Sequence, residues 1–183
     1  FQLWSNILGG FVSSNCGTGS GTGALYFNGA TRQAITNPLS TTSGGLLNFS
    51  LKIGSAGGVC ENADPGEEVV LEYSLNGFNW QLIREYPVDN FNNFTSIQEI
   101  IPIDAISGQT QFRWRQKGNS GPSFDHWAID DVFISTGTDS ALQVTITPGQ
   151  GNIPPGDSTV VFVTISTAQL NNGFYPILVE LVS

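Results

Sequence analysis

Methionine is absent from the 183-residue chain, histidine occurs once, and lysine and arginine together number 6 against 15 acidic residues. The resulting formal charge of −9 repels phosphate backbones and anionic membrane surfaces, which sets nucleic-acid binding aside. No apolar run approaches the roughly 18 residues of a membrane span. The opening FQLWSNILGG lacks the basic start and small-residue cleavage pattern of a signal peptide. A chain that starts at Phe1 without methionine is expected to be a mature or excised piece of a longer precursor.

The means of catalysis are equally scarce. His126, between Asp125 and Trp127, is a lone histidine beside a strand, more readily a satisfied structural side chain than a general base. No GxSxG elbow is present. The stretch GTGSGTG at 17–23 lacks the lysine of a phosphate-binding loop and is followed by no helix. Glu72, Glu85, Asp104 and Asp130 could in principle supply paired carboxylates, but nothing in their spacing singles out a glycosidase pair. The expectation is therefore a protein that is not an enzyme.

What the chain does have is 22 glycines, 11% aromatic residues and 39% hydrophobic residues, without one clean helical period over a dozen residues. Turn signals recur about every eight to twelve residues between short branched and aromatic runs, the texture of a sandwich or jelly roll. The expected strands are Ala24–Phe27, Gln33–Ile35, Leu46–Ile53, Glu68–Ser74, Gln81–Tyr86, Thr95–Ile101, Thr110–Gln116 and Trp127–Ser135. Asn76-Gly77 between two such runs predicts a hairpin. In TQFRWRQ, Phe112 and Trp114 alternate with Arg113 and Arg115, so one face is buried and the arginines meet solvent or an anion. The fold class expected is all-β, an antiparallel jelly roll.

Past Ser135 the texture changes, and from 141 to 183 there is no Trp, Cys, Lys or Arg. This divides the chain into a main domain over 1–137 and a small one over 138–183, with strands expected at Leu142–Thr147, Thr159–Ser166 and Tyr175–Val182. So short a unit is near the size below which a lone core seldom suffices, so it is expected to lean on the main domain or on a neighbouring chain.

Cys16 and Cys60 lie in Gly/Ser/Asn-rich loops, either as a disulfide of a secreted protein or as two unrelated thiols. Asn48-Phe49-Ser50 and Asn93-Phe94-Thr95 are glycosylation acceptors, which together with the cysteines favour an extracellular address.

Four segments, NCGTGSGTGALYFNGATRQAIT, VVLEYSLNGFNWQLIRE, IPIDAISGQTQFRWRQ and DHWAIDDVFIS, in that order, resemble the jelly-roll subrepeat of the extracellular protein reelin and its relatives, over roughly residues 11 to 135. The resemblance implies an extracellular jelly roll, a structural calcium ion in some members, and adhesion or receptor binding instead of catalysis. The paired cysteines fit it. Reelin's cysteine-rich module is missing, so its signalling role is not implied. The tail is similar to the C-terminal half of small immunoglobulin-like repeats of large secreted and cell-surface proteins, through GNIPPGDS, a strand and LNNGFY.

Asp130 and Asp131 sit side by side in the strand HWAIDDVFIS. A regular pleat puts Trp127, Ile129, Asp131 and Phe133 on one face and Ala128, Asp130, Val132 and Ile134 on the other, so one aspartate must point toward apolar neighbours. A buried carboxylate needs an arginine, backbone N–H groups or a cation. In the resembling family this acidic pair lies near a calcium site, and calcium takes six to eight hard oxygens. The calcium set expected here is Asp130, Asp131, Glu61 and Asp64, with Glu67, Glu68 and Asp125 as further candidates. The alternatives are a buried pair with Arg113, Arg115 or Arg32, or exposure to solvent.

The function expected is a non-catalytic extracellular structural or adhesive module. It is read as one repeat of a larger cell-surface or filamentous assembly, joined to other copies of itself or to neighbouring repeats by β-strand contacts. The alternative is a carbohydrate-binding module of a secreted enzyme, with glycans as partners and Trp4, Phe78 or Phe91 as a stacking platform.

Overall fold

The computed structural model describes residues 3–54 and 59–136, together with the backbone of two strands at 143–147 and 162–166. The chain divides into two units, Phe1–Gly137 and Thr138–Ser183.

The first unit is a sandwich of two five-stranded antiparallel sheets, a jelly roll. Its strands are β1 (Trp4–Leu8), β2 (Gly10–Ser13), β3 (Ala24–Phe27), β4 (Gln33–Thr36), β5 (Gly45–Ile53), β6 (Val69–Ser74), β7 (Gln81–Tyr86), β8 (Thr95–Ile100), β9 (Gln111–Gln116) and β10 (Trp127–Thr136). One sheet runs β1-β4-β9-β6-β7 and the other β2-β3-β10-β5-β8. All the strands expected over 24–135 form. Among the described residues, helix is limited to single 3-10 turns at Val88–Asn90 and Ile103–Ala105.

Period-2 alternation builds the core. On β9, Phe112 and Trp114 are fully buried while Arg113 and Arg115 face the other way. From the second sheet come Phe27, Leu47, Phe49, Leu51, Ile53, Trp127 and Ile129, all buried. Phe27 and Trp127 are direct cross-strand partners and stack with centroids 3.9 Å apart, while Trp114 meets Phe49 edge-on at 5.3 Å. Each large side chain so buried contributes about 1.5–3 kcal/mol.

Strands β1 and β2 were not among those expected. Most of their side chains are exposed, so no alternation betrays them. Gly9 lets the chain cross from one sheet to the other: its φ is 64°, and a Cβ there would lie 2.1 Å from Thr31 O. Trp4 turns inward and packs edge-on against Trp114.

The outer face of the second sheet has its own small core. Cys16 and Cys60 are joined in a disulfide, which packs with Ala24, Tyr26 and Ala128 and ties the loop after β2 to the loop after β5.

In the second unit, β11 (Gln143–Thr147) and β12 (Phe162–Ser166) form an antiparallel ladder, with Gln143 opposite Ser166 and Thr147 opposite Phe162. The strand expected at Tyr175–Val182, the immunoglobulin-like character of the tail and any surface it leans on lie outside the described residues.

The cysteines are 44 residues apart, and closing such a loop in the unfolded chain is worth about 4 kcal/mol in the chain-entropy account. Replacing both cysteines by alanine is expected to cost about 2–4 kcal/mol in urea unfolding of the oxidised protein. Equal midpoints for the two proteins would refute a stabilising role.

Candidate metal centre

Arg32, in the turn between β3 and β4, is 1% exposed and uses all five of its N–H donors on neutral oxygens. Nε donates to Gly29 O at 2.7 Å, Nη1 to Gln116 Oε1 at 2.9 Å and to Asp125 O, and Nη2 to Gly121 O at 2.8 Å and Phe124 O at 2.9 Å. Gln116 Nε2 adds bonds to Asp125 O at 2.9 Å and Glu67 O at 3.1 Å. The whole connection from β9 to β10 is thereby wrapped around one guanidinium. Burial lowers the Arg32 pKa, and the Asp125 charge opposes that fall.

This wrapping sets Asp125 in the left-handed region, φ 59°, and buries its carboxylate, which accepts from Ser120 N. Across from it lies the connection from β5 to β6. There Glu67 Oε2 accepts from Asp64 N at 2.8 Å, and Glu67 Oε1 accepts from Ser120 Oγ at 3.1 Å. Asp64, Glu67 and Asp125 each bring one carboxylate oxygen within 4.8 Å of the others. Burial, followed by contact with the Asp125 carboxyl, raises the Glu67 pKa. Carboxylates held this close repel one another, and a hard cation among them would offset that repulsion. The donor set therefore fits a divalent ion bound through oxygen.

The structure distributes the residues expected to bind metal over two places. Asp64 is in the cluster, and Glu61 lies one step behind, its carboxylate accepting from Asp125 N and its carbonyl from His126 N at 3.0 Å. Glu68 is drawn off by Gly66 N at 3.0 Å and by Lys117 Nζ at 3.0 Å, and these contacts hold its carboxyl down at about 2.

Asp130 and Asp131 stand elsewhere, and the regular pleat expected for them does not occur. A bulge in the pairing of β10 with β5 between Asp130 and Phe133, with Asp131 at φ 52°, shifts the alternation by one residue. Trp127 and Ile129 face the core before the bulge, Val132 and Ile134 after it. Both aspartates therefore reach the same loop. Asp130 Oδ2 accepts from Gly19 N at 3.0 Å and Ser20 N at 2.9 Å, and Asp131 Oδ1 accepts from Ser20 Oγ. Backbone N–H groups are the partner of Asp130, in place of an arginine.

Arg113 and Arg115 both hold Glu72, at 2.7 and 3.1 Å, and Arg113 also lies 4.2 Å over the Trp80 ring. His126 is buried: Nδ1 is 2.9 Å from the Tyr26 hydroxyl and 2.9 Å from Val59 O, and Nε2 is 3.0 Å from Pro122 O. Phe91 packs edge-on against Tyr86. Asn93 is exposed, and Asn48 is half-buried on the outer face with its Oδ1 accepting from Gln98 Nε2 at 2.8 Å. Sequence reasoning missed the Arg32 network, because none of its carbonyl partners is a residue type that could be recognised.

Fold and site define a disulfide-closed jelly-roll module whose one end gathers carboxylates around a buried guanidinium. A family model described as Reelin subrepeat B matches residues 9–135, and the chain belongs to that family. A disulfide in such a module belongs to an extracellular setting.

Among solved structures, the chain is similar to a family 16 carbohydrate-binding module, at 16% identity over 69% of this chain and 85% of that one, TM-score 0.44. It is also similar to TmCBM61, solved with β-1,4-galactotriose, at 14% identity over 70% and 83%, TM-score 0.45. A third is the K3 cleaved adhesin domain of Lys-gingipain from Porphyromonas gingivalis, at 16% identity over 63% and 75%, TM-score 0.44.

Arg32→Met is expected to cost about 3 kcal/mol or more, because the buried carbonyls of Gly29, Gly121, Phe124 and Asp125 lose their donor; urea unfolding measures it. The Glu68 carboxyl, depressed to about 2, contributes stability above its unfolded value that is lost as pH falls through the folded one. In EDTA, the unfolding midpoint is expected to fall more steeply between pH 4.5 and 2 in the native protein than in Glu68→Gln. Parallel profiles would contradict the depressed value.

Proposed function

We propose that the protein is a calcium-braced, non-catalytic extracellular module, one repeat of a larger structural or adhesive assembly. The observation that carries this reading is the convergence of Asp64, Glu67 and Asp125 where the β5–β6 and β9–β10 connections meet. Calcium bound there would neutralise carboxylates that otherwise repel and would tie the two connections together, a bracing role that asks nothing of substrate chemistry. Asp64, Glu67 and Asp125 would hold the ion, with backbone carbonyls and water completing its shell.

Assembly through strands is supported by the sheet edges. Among the described residues β2 has a neighbour on one side only in the second sheet, and its Phe11 and Val12 are 51% and 75% exposed. An open edge with apolar side chains is a template for a strand from another copy or from a neighbouring repeat. The exposed Asn93 is the more accessible of the two glycosylation acceptors.

Calcium at 100 times its Kd is expected to stabilise the fold by about 2.7 kcal/mol. Thermal unfolding should therefore rise by several degrees over EDTA, and Asp125→Asn should abolish the rise. Identical melting in EDTA and in millimolar calcium would remove the calcium reading. Light scattering on a concentration series tests assembly: mass should grow with concentration, and a monomer throughout would remove strand-linked assembly.

A further inference from the structure

The tip of the β6–β7 hairpin takes no part in the calcium reading, and its backbone is braced from within. Ser74 Oγ accepts from the N–H of Asn76 at 3.3 Å and of Gly77 at 2.9 Å. Asn76 Oδ1 accepts from the N–H of Phe78 and of Asn79, both at 2.9 Å. Every backbone amide from 76 to 79 thus has a side-chain acceptor inside the turn. Gly77 has φ 76°, and Gln111 Oε1 lies 2.8 Å from where its Cβ would stand, so the tip is seated against β9. On this support Phe78 is 87% exposed, more than any other large hydrophobic residue among those described.

The same turn borders a half-open hollow of about 200 Å³ lined by Tyr73, Leu75, Asn76, Asn79 and Gln81. Its lining contains no charged side chain. The side-chain amides of Asn79 and Gln81 offer paired donors and acceptors, the arrangement that meets adjacent hydroxyls, and Asn76 adds only its Nδ2 donors because its Oδ1 is spent within the turn, while Tyr73 and Leu75 offer an apolar surface to ring C–H groups. A volume below the roughly 300 Å³ of drug-sized sites suits one sugar ring. An anion finds no counter-charge in this lining.

We propose that this hairpin end binds a neutral glycan, one ring seated in the hollow against Tyr73 and Leu75, its hydroxyls on Asn79 and Gln81, and a neighbouring ring stacked on Phe78. The site is separate from the acidic cluster, so the outcome is independent of calcium.

Saturation-transfer NMR and calorimetry on the full chain test it, with methyl glycosides of glucose, galactose, mannose, xylose and N-acetylglucosamine, their β-1,4-linked trisaccharides, glucuronate, and an apolar peptide. At least one neutral sugar is expected to bind, with the trisaccharide tighter than the single ring. Phe78→Ala and Asn79→Ala are expected to weaken that binding about tenfold each. Their melting temperatures should match the native protein, since Phe78 is exposed and the Asn79 side chain makes none of the bonds that brace the turn. Phe133→Ala, on the exposed outer face of the second sheet, should bind as the native protein does. Binding of none of the neutral sugars, binding unchanged in both hairpin variants, or binding of glucuronate or the peptide alone would overturn the proposal.

Discussion

The buried guanidinium of Arg32 constrains more of this molecule than any other group. A full positive charge inside a protein is costly unless each donor is met. Here the five donors meet Gln116 Oε1 and the carbonyls of Gly29, Gly121, Phe124 and Asp125. To bring three carbonyls of one short connection onto one planar group, the chain must coil, and Asp125 is forced to positive φ. That conformation points the Asp125 carboxylate at Glu67 and Asp64. The acidic cluster is thus a consequence of satisfying an arginine, with Asp125, Glu67 and Glu61 returning charge balance over a longer range.

The same strand, β10, is held at its middle by a second device. The bulge at Asp130–Asp131 turns both carboxylates onto the Gly19–Ser20 segment, while the disulfide anchors the start of that loop at Cys16. Either device alone would leave a glycine-rich loop loosely attached. Together they cover Ala24, Tyr26 and Ala128 on a sheet face that would otherwise be wet. Around these fixed ends the loops of the sandwich differ in purpose: one end gathers negative charge, and the β6–β7 tip presents amides and an aromatic ring.

Much of the scaffold was legible in the residues. β9 declared its buried face because Phe112 and Trp114 alternate with arginines, and the Asn76-Gly77 pair marked a hairpin through the backbone conformation that glycine allows. β1 and β2 were illegible because edge strands with exposed faces have no need of alternation. The phase of β10 was misread for a physical reason: a bulge inserts one residue, and nothing in HWAIDDVFIS announces where the pleat slips, although Val132 and Ile134 are as apolar as Trp127 and Ile129. Of the three aromatics open as stacking platforms, Trp4 and Phe91 pack against other rings, and Phe78 is left exposed.

By itself the sequence determined the all-β class, the facing of its central strands and the family, because these rest on local pattern: side-chain alternation, turn residues and ordered motifs. Only the tertiary structure decided which carboxylates meet. Asp64, Glu67 and Asp125 come from loops more than fifty residues apart at their extremes, and their convergence depends on carbonyl oxygens bound by Arg32. Every residue has a carbonyl, so no sequence pattern distinguishes the ones that a folded arginine will choose.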